Sequence, residues 1–163
     1  MKTYRAIDIA KQFVMLADGE NIKISHMKLQ KLVFFAQLTA LKDFNGTPIH
    51  SDSTLAWDYG PVVYELYNAI RRFGSGCIQL HDENGNDVFE SAVAIDDGDA
   101  SSVIRAVWNH FKNWTAFQLS ALTHWKNSPW SVAYSRQRSS EISLDLIRSN
   151  GFGEPWPNQN AWW

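Results

Sequence analysis

Five histidines and one cysteine are the side chains that could support metal binding or nucleophilic catalysis. The histidines form neither an HxxxH nor an HExxH pair, so a metal site would require residues that only the fold brings together. The single cysteine excludes an internal disulfide framework and a cysteine-cluster zinc site. We expect no metal, and we interpret the cysteine as a lone buried thiol rather than a nucleophile. These residues are His26, His50, His81, His110, His124 and Cys77.

One catalytic arrangement stays open as an alternative. His124 follows a predicted helix, and folding could bring an acid such as Asp58 close to it, which is what a small hydrolase or transferase would need. A histidine at the C-terminal end of a helix also serves as a cap or as a partner of the helix dipole. The sequence has no GxSxG elbow, no P-loop and no GxGxxG. We therefore expect no enzyme, no catalytic residue and no cofactor.

Composition and charge restrict the class of partner. Of the 163 residues, 45% are hydrophobic and 20% charged, which excludes a disordered chain. The net charge of −2 does not favour nucleic acid as a partner. The densest basic groups, Lys28–Lys31, Arg71–Arg72 and Arg136–Arg138, are interpreted as solvated helix faces.

Neither a membrane span nor a signal peptide is expected. No apolar run has membrane-spanning length, and Asp8 and Lys11 interrupt the stretch that a signal peptide would need. We expect a cytoplasmic protein without a membrane partner.

Aromatic side chains are more numerous than one small core would hold, at 13% of the chain. Tryptophan and tyrosine are enriched at protein interfaces because they contribute large apolar area at low entropic cost. We predict a partner-binding surface, with the alternative that Trp57, Trp108 and Trp130 lie in the core. The predicted surface comprises Trp57, Tyr59, Gly60, Pro61, Tyr64, His124, Trp125, Trp130, Trp162 and Trp163.

Helical periodicity dominates the chain, so we predict a mainly α, single compact domain of about six to seven helices. One or two short β-hairpins are expected around residues 47–58 and 78–95, the second at Asn84-Gly85. The first helix is predicted at residues 6–18, and the second follows Ser25 as its N-cap. The third is predicted to have Gly60 as N-cap and Pro61 as its first residue. A fourth is predicted to start at Asp99. Three more follow: Thr115 to about Trp125 with a Thr115–Gln118 capping box, one from Pro129 capped by Ser128, and Glu141 to Arg148.

The segment after the last predicted helix has its own composition. Residues 151–163 contain Pro155, Pro157 and three tryptophans without a helical or strand period. We therefore divide the chain into a helical domain, 1–150, and a Pro/Trp-rich tail, 151–163. The tail either packs on the domain, docks on a partner or a second copy to give a homodimer, or acts as a degradation signal.

Several short motifs follow one another along roughly residues 6–148. They are Lys28 to Leu32, Phe34-Phe35, Gly46 with Pro48-Ile49, Ala56-Trp57, Gly60-Pro61-Val62, Leu122-Thr123-His124 and Pro129-Trp130. In this order and spacing they resemble the Panacea domain, the family of SocA-like and GepA-like, phage-associated antitoxins. The resemblance implies a binding module that neutralises a cognate toxin by direct contact, in a bacterium or a prophage. A phage-encoded modulator of a host protein is an alternative that the sequence does not separate from it.

Overall fold

Helices contribute most of the structure in residues 1–151, the part of the chain that the computed structural model describes. Strands β1 (Thr54–Trp57) and β2 (Gly60–Val63) pair antiparallel, and a short 3-10 turn, Arg71–Phe73, follows the third helix. The predicted mainly α fold class is confirmed. The predicted tail, with Trp156, Trp162 and Trp163, lies outside the described residues from position 152 onward. The helices are α1 (Ala6–Gly19), α2 (His26–Asp43), α3 (Tyr64–Ile70), α4 (Gly98–Phe111), α5 (Ala116–Thr123), α6 (Pro129–Arg136) and α7 (Leu144–Asn150).

Helix α2 is central in the domain, as its apolar residues on most faces predict. It packs against α1, α3, α4, α5, α7 and β2. Ser25 accepts a hydrogen bond from the backbone N–H of Lys28 and is the predicted N-cap. Because neighbours surround the helix, Lys28 and Lys31 are also buried, with 6% and 1% of their surface exposed. The interpretation of these two lysines as a solvated helix face is wrong.

Two buried glutamines of α2 bind the backbone of the segments that cross the helix. Gln30 donates to the carbonyl oxygen of Val63 at 3.2 Å and accepts from the Val63 N–H at 2.9 Å. Gln37 accepts from the N–H groups of Ile49 and His50 and donates to the His50 carbonyl oxygen. Each amide thus satisfies backbone groups that would otherwise be buried without partners. This fixes β2, and with it the hairpin, against α2.

Gly60 and Pro61 begin strand β2, so the prediction that they cap and open a helix is wrong. Trp57 pairs with Gly60, and Asp58 and Tyr59 form a two-residue turn between the strands. Proline is tolerated at the start of an edge strand, and the β-branched Val62 and Val63 favour the extended form. Helix α3 begins only at Tyr64. The first predicted hairpin therefore exists but spans 54–63 rather than 47–58.

The last helix begins later than predicted because the residues before it pair with β1. The N–H of Ala56 donates to the carbonyl oxygen of Ser140 at 2.9 Å, and the N–H of Ile142 donates to that of Thr54 at 2.8 Å. These bonds hold Glu141 in an extended conformation beside the hairpin. Ser143 then caps α7, so the predicted start at Glu141 is wrong.

The second predicted hairpin, at 78–95, is reduced to a turn with one isolated bridge between His81 and Asp87. Gly85 takes φ +80° in this turn, and the Asp82 carboxylate accepts from the N–H groups of Asn84 and Asn86, each at 2.9 Å. Two backbone bonds flank the bridge, from the Asp82 N–H to the Asn86 carbonyl oxygen and from the Val88 N–H to the Leu80 carbonyl oxygen, so the predicted ladder is present only next to the turn. Cys77, just before the turn, is exposed, so the prediction of a buried thiol is wrong.

Both predicted caps in the second half of the chain are confirmed. Thr115 accepts from the N–H of Gln118, whose side chain accepts from the Thr115 N–H in return. Ser128 caps α6, and Pro129 is its first residue. Helix α5 ends at Thr123, short of the predicted end. No helix in residues 1–151 is both long and apolar enough to cross a bilayer.

Candidate partner-binding site

A pocket of about 820 Å³ lies where four elements meet: the first turns of α2, the hairpin, α3 and the start of α5. Helix α2 contributes His26 and Lys31, the hairpin contributes Trp57 and Tyr59, and α5 contributes Phe117. A pocket of this size with mostly apolar walls and a few polar groups is typical of binding sites.

The hairpin turn is held from outside by α5 and α6. The Tyr59 carbonyl oxygen accepts from the Ser120 hydroxyl, and the Trp57 carbonyl oxygen accepts from the Trp130 indole N–H, both at 2.8 Å. The Asp58 carboxylate accepts from the Tyr134 hydroxyl at 3.0 Å and from the Arg138 guanidinium. Every residue of the turn is therefore anchored, and the Tyr59 side chain is presented to solvent with 70% of its surface exposed.

Gly60 lets the turn approach α2 and α5 closely. Its φ of +103° lies in a region that side-chain-bearing residues rarely adopt. A Cβ at this position would lie 2.7 Å from both the Lys31 Cε and the Thr123 Oγ1. The hairpin is thus built directly over the lysine side chain.

The Lys31 side chain is buried under the turn. Its Nζ donates to the Pro61 carbonyl oxygen at 3.0 Å, and only 1% of the residue is exposed. Burial lowers the pKa of Lys31 to about 7, because removing water disfavours the charged form. Close to neutral pH the charged and neutral forms of the amine are therefore present in comparable amounts.

Two histidines lie near Lys31. Burial, and secondarily the positive charge of Lys31, lowers the pKa of His26 and of His124 below the ordinary value. The Nε2 atom of each is buried without a hydrogen-bond partner in residues 1–151. The His124 ring stacks on Trp130 with centroids 3.7 Å apart, and the His26 ring lies 5.0 Å from Tyr67.

Asp58 and His124, the acid and base of the enzyme alternative, contact other partners in residues 1–151. Asp58 is engaged by Tyr134 and Arg138, while His124 contacts the Trp130 ring. No group of three His, Cys, Asp or Glu side chains suited to a metal ion exists in residues 1–151.

Aromatic side chains border the pocket. Trp57 meets Tyr67 edge-on at 4.9 Å, and Tyr64 stacks near Tyr67 at 6.5 Å. Tyr59, Tyr64 and Phe117 are exposed by 70%, 47% and 74%. We call these three residues the aromatic rim. They are three of the five large hydrophobic side chains exposed in the described part of the chain, the others being Met15 and Val93.

Most residues of the sequence-predicted surface lie in or around the hairpin. Trp57, Tyr59, Gly60 and Pro61 belong to the hairpin itself, Tyr64 follows it, and Trp130 bonds to it. His124 stacks against Trp130, which is half-buried like Trp57. Trp125 instead belongs to the hydrophobic core with Trp108. Trp162 and Trp163 lie outside the described residues.

Four residues of the site were not predicted: His26, Lys31, Tyr67 and Phe117. Lys31 had a signal, because a helix that is apolar on most faces must also bury its lysines. Phe117 had a weaker one, as a large apolar residue in the first turn of a capped helix. His26 was considered only as a possible metal ligand or catalytic group, and no local pattern separates Tyr67 from the other aromatic residues.

The family model for the SocA-like antitoxin, Panacea domain, matches residues 29–131. This range begins at Leu29 in α2 and ends in α6, so it includes the hairpin and most of the pocket. No curated protein and no solved structure matches the chain.

Proposed function

Because the chain belongs to the SocA-like antitoxin family with the Panacea domain, we propose that it neutralises a cognate toxin by direct contact, without chemistry. The contact surface is the hairpin with its pocket and the aromatic rim. The observation that carries this assignment is the clustering of the rim: the exposed Tyr59 and Phe117 line one pocket, and the exposed Tyr64 packs against Tyr67, which lines it too.

Exposed aromatic clusters of this kind favour a macromolecular partner. Tyr59 and Phe117 are well exposed although they sit on anchored backbone, so they gain little from folding. Covering them removes apolar area from water and contributes roughly 25 cal/mol per Å². Aromatic side chains on a rigid frame are also typical of interface hot spots.

Growth rescue tests the proposal. The toxin is sought in the gene next to this one and is expressed with and without the wild-type chain. We expect rescue by the wild-type protein and loss of rescue with the double variant Tyr59→Ala/Phe117→Ala. The matched control is Met15→Ala/Val93→Ala, which removes the two exposed apolar side chains outside the rim and should rescue normally.

Two results would contradict the proposal: no rescue by the wild-type protein, or equal rescue by both double variants. Affinity capture from a host lysate would then test the alternative, in which the chain is a phage-encoded modulator that binds a host protein and not a toxin.

Three finer proposals accompany this one. We propose that the interaction takes place in the cytoplasm, that the gene belongs to the GepA-like, phage-associated branch of such antitoxins, and that residues 152–163 support a homodimer. Sedimentation of the full chain and of a chain lacking 152–163 tests the last of these. The same number of subunits for the two chains would contradict a tail-mediated dimer.

A further inference from the structure

Lys31 is buried without an acidic partner. Within residues 1–151 its amine bonds to the Pro61 carbonyl oxygen and takes part in no ion pair. Asp58 is the acid that lines the same pocket, and its carboxylate is occupied by Arg138 at 2.5 Å. A buried cation with a single neutral acceptor is destabilising unless a counter-charge arrives. Such an arrangement is more readily explained by a ligand than by folding.

A second polar group converges on the same void. His26 lines the pocket together with Lys31, and its buried Nε2 has no hydrogen-bond partner in residues 1–151. A neutral imidazole can donate one hydrogen bond from this nitrogen, and an ammonium can donate three. One cation and one further donor beside an apolar cavity match a carboxylate.

The walls define what the carboxylate is attached to. Trp57, Val62, Tyr67 and Met27 line the pocket around these two polar groups. These apolar walls favour a ligand whose carboxylate lies next to an apolar or aromatic group. Because the exposed aromatic rim extends beyond the pocket, a free small acid would leave Tyr64 and much of Phe117 in water, whereas a protein segment would cover them.

We propose that the toxin inserts an acidic side chain, next to an apolar or aromatic one, into this pocket, where the acid pairs with Lys31 and accepts a hydrogen bond from His26. This inference rests on the proposed function and names the chemistry of its central contact. The buried lysine is then a binding residue kept at the expense of the free protein's stability.

A matched pair of peptides tests the chemistry without the toxin. The probes are acetyl-Phe-Glu-amide and acetyl-Phe-Gln-amide, which differ in charge but hardly in shape, and binding is followed by the NMR signals of the Trp57 and Tyr67 rings. We expect the wild-type protein to prefer the glutamate peptide by about tenfold or more, as for a charge-assisted hydrogen bond. Lys31→Met should abolish the preference.

Lys28→Met is the control, because Lys28 is another buried lysine of α2 whose Nζ bonds instead to the Lys112 carbonyl oxygen. It should keep the preference for glutamate. Thermal unfolding of each variant verifies that it is folded, and His26→Phe gives a second variant that should weaken the preference. Equal binding of the two peptides, or a preference that survives Lys31→Met, overturns the inference.

Growth rescue separates this inference from the proposed function. Rescue by the wild-type protein and by Lys28→Met but not by Lys31→Met supports both. Rescue by Lys31→Met at the wild-type level overturns the inference and leaves the proposed function intact. If neither the wild type nor any variant rescues growth while the wild type still prefers the glutamate peptide, the proposal that the toxin supplies the carboxylate is wrong.

Discussion

Replacing Lys31 by methionine should make the free protein more stable. Methionine has a similar length and no charge, so it can occupy the same buried space under the hairpin. The change removes the bond from Nζ to the Pro61 carbonyl oxygen, which costs about 1 kcal/mol. It also removes a cation that the fold holds with only 1% of the residue exposed.

The pKa of Lys31 gives the size of the destabilisation that its burial causes. Burial lowers it from 10.5 to about 7, and at 1.36 kcal/mol per pH unit this is at most about 5 kcal/mol of destabilisation. Because the folded pKa is the lower one, the unfolded chain holds the proton more tightly. The cost is complete below about pH 7 and disappears as the pH rises toward 10.5. It is about 4 kcal/mol at pH 7 and about 2 kcal/mol at pH 9.

The difference in the free energy of unfolding between Lys31→Met and the wild type isolates the effect of the Lys31 amine. We expect Lys31→Met to have a free energy of unfolding about 3 kcal/mol higher at pH 7 and about 1 kcal/mol higher at pH 9. The groups near Lys31 are His26, His124 and Asp58. The pKa of each of the three is lowered, so they titrate below this range in both proteins.

Urea unfolding followed by tryptophan fluorescence at pH 7, 8 and 9 measures the difference, with Lys28→Met as control. A difference that does not change between pH 7 and 9 would show that Lys31 stays charged and well paired in the free protein. A variant less stable than the wild type at pH 7 would refute the reasoning altogether.

Three further predictions concern folding. His50 is fully buried, and burial lowers its pKa to about 4 although the neighbouring Asp52 acts in the opposite direction; below pH 6.5 the unfolded chain therefore binds a proton that the folded chain does not, and stability falls. From pH 7 to pH 5 this should amount to about 2 kcal/mol, and His50→Leu should remove that part of the acid sensitivity in urea titrations. Gly60→Val should cost about 1–3 kcal/mol, because φ is +103° there and a Cβ would meet Lys31 and Thr123; a melting temperature equal to wild type would contradict it. Thr115→Ala should cost about 1 kcal/mol through loss of the α5 cap while leaving growth rescue unchanged, and unchanged calorimetric stability would show that the cap contributes nothing.

The sequence predicted the start of a helix correctly where the capping residues alone determine it. Ser25, the Thr115–Gln118 capping box and Ser128-Pro129 act within one turn of chain, and each is found where it was predicted. The start of α7 was wrong because Glu141 pairs with Leu55, which is distant in sequence. The same holds for Gly60-Pro61, a dipeptide whose sequence is compatible with a helix start or a strand start, because the bonds between Gln30 and Val63 select the strand.

The sequence indicated the aromatic residues of the candidate site but not its buried lysine. The aromatic residues lie close together in sequence, at Trp57, Tyr59 and Tyr64, so their surplus in one short segment predicts a surface. Lys31 lies on α2, far from these aromatic residues in sequence. It is buried because several other elements pack against α2. Charge pattern alone assigns a lysine to solvent, whereas tertiary packing here places it beneath the hairpin.

The affinity of the purified protein for its toxin, measured by isothermal titration, tests the central claim most directly. Tyr59→Ala/Phe117→Ala should weaken binding by about a hundredfold or more, which is the loss expected when two aromatic hot-spot residues are truncated at an interface. Met15→Ala/Val93→Ala should leave the dissociation constant unchanged. Equal dissociation constants for the two double variants would contradict the claim that the aromatic rim around the hairpin is the surface through which this antitoxin-family protein acts.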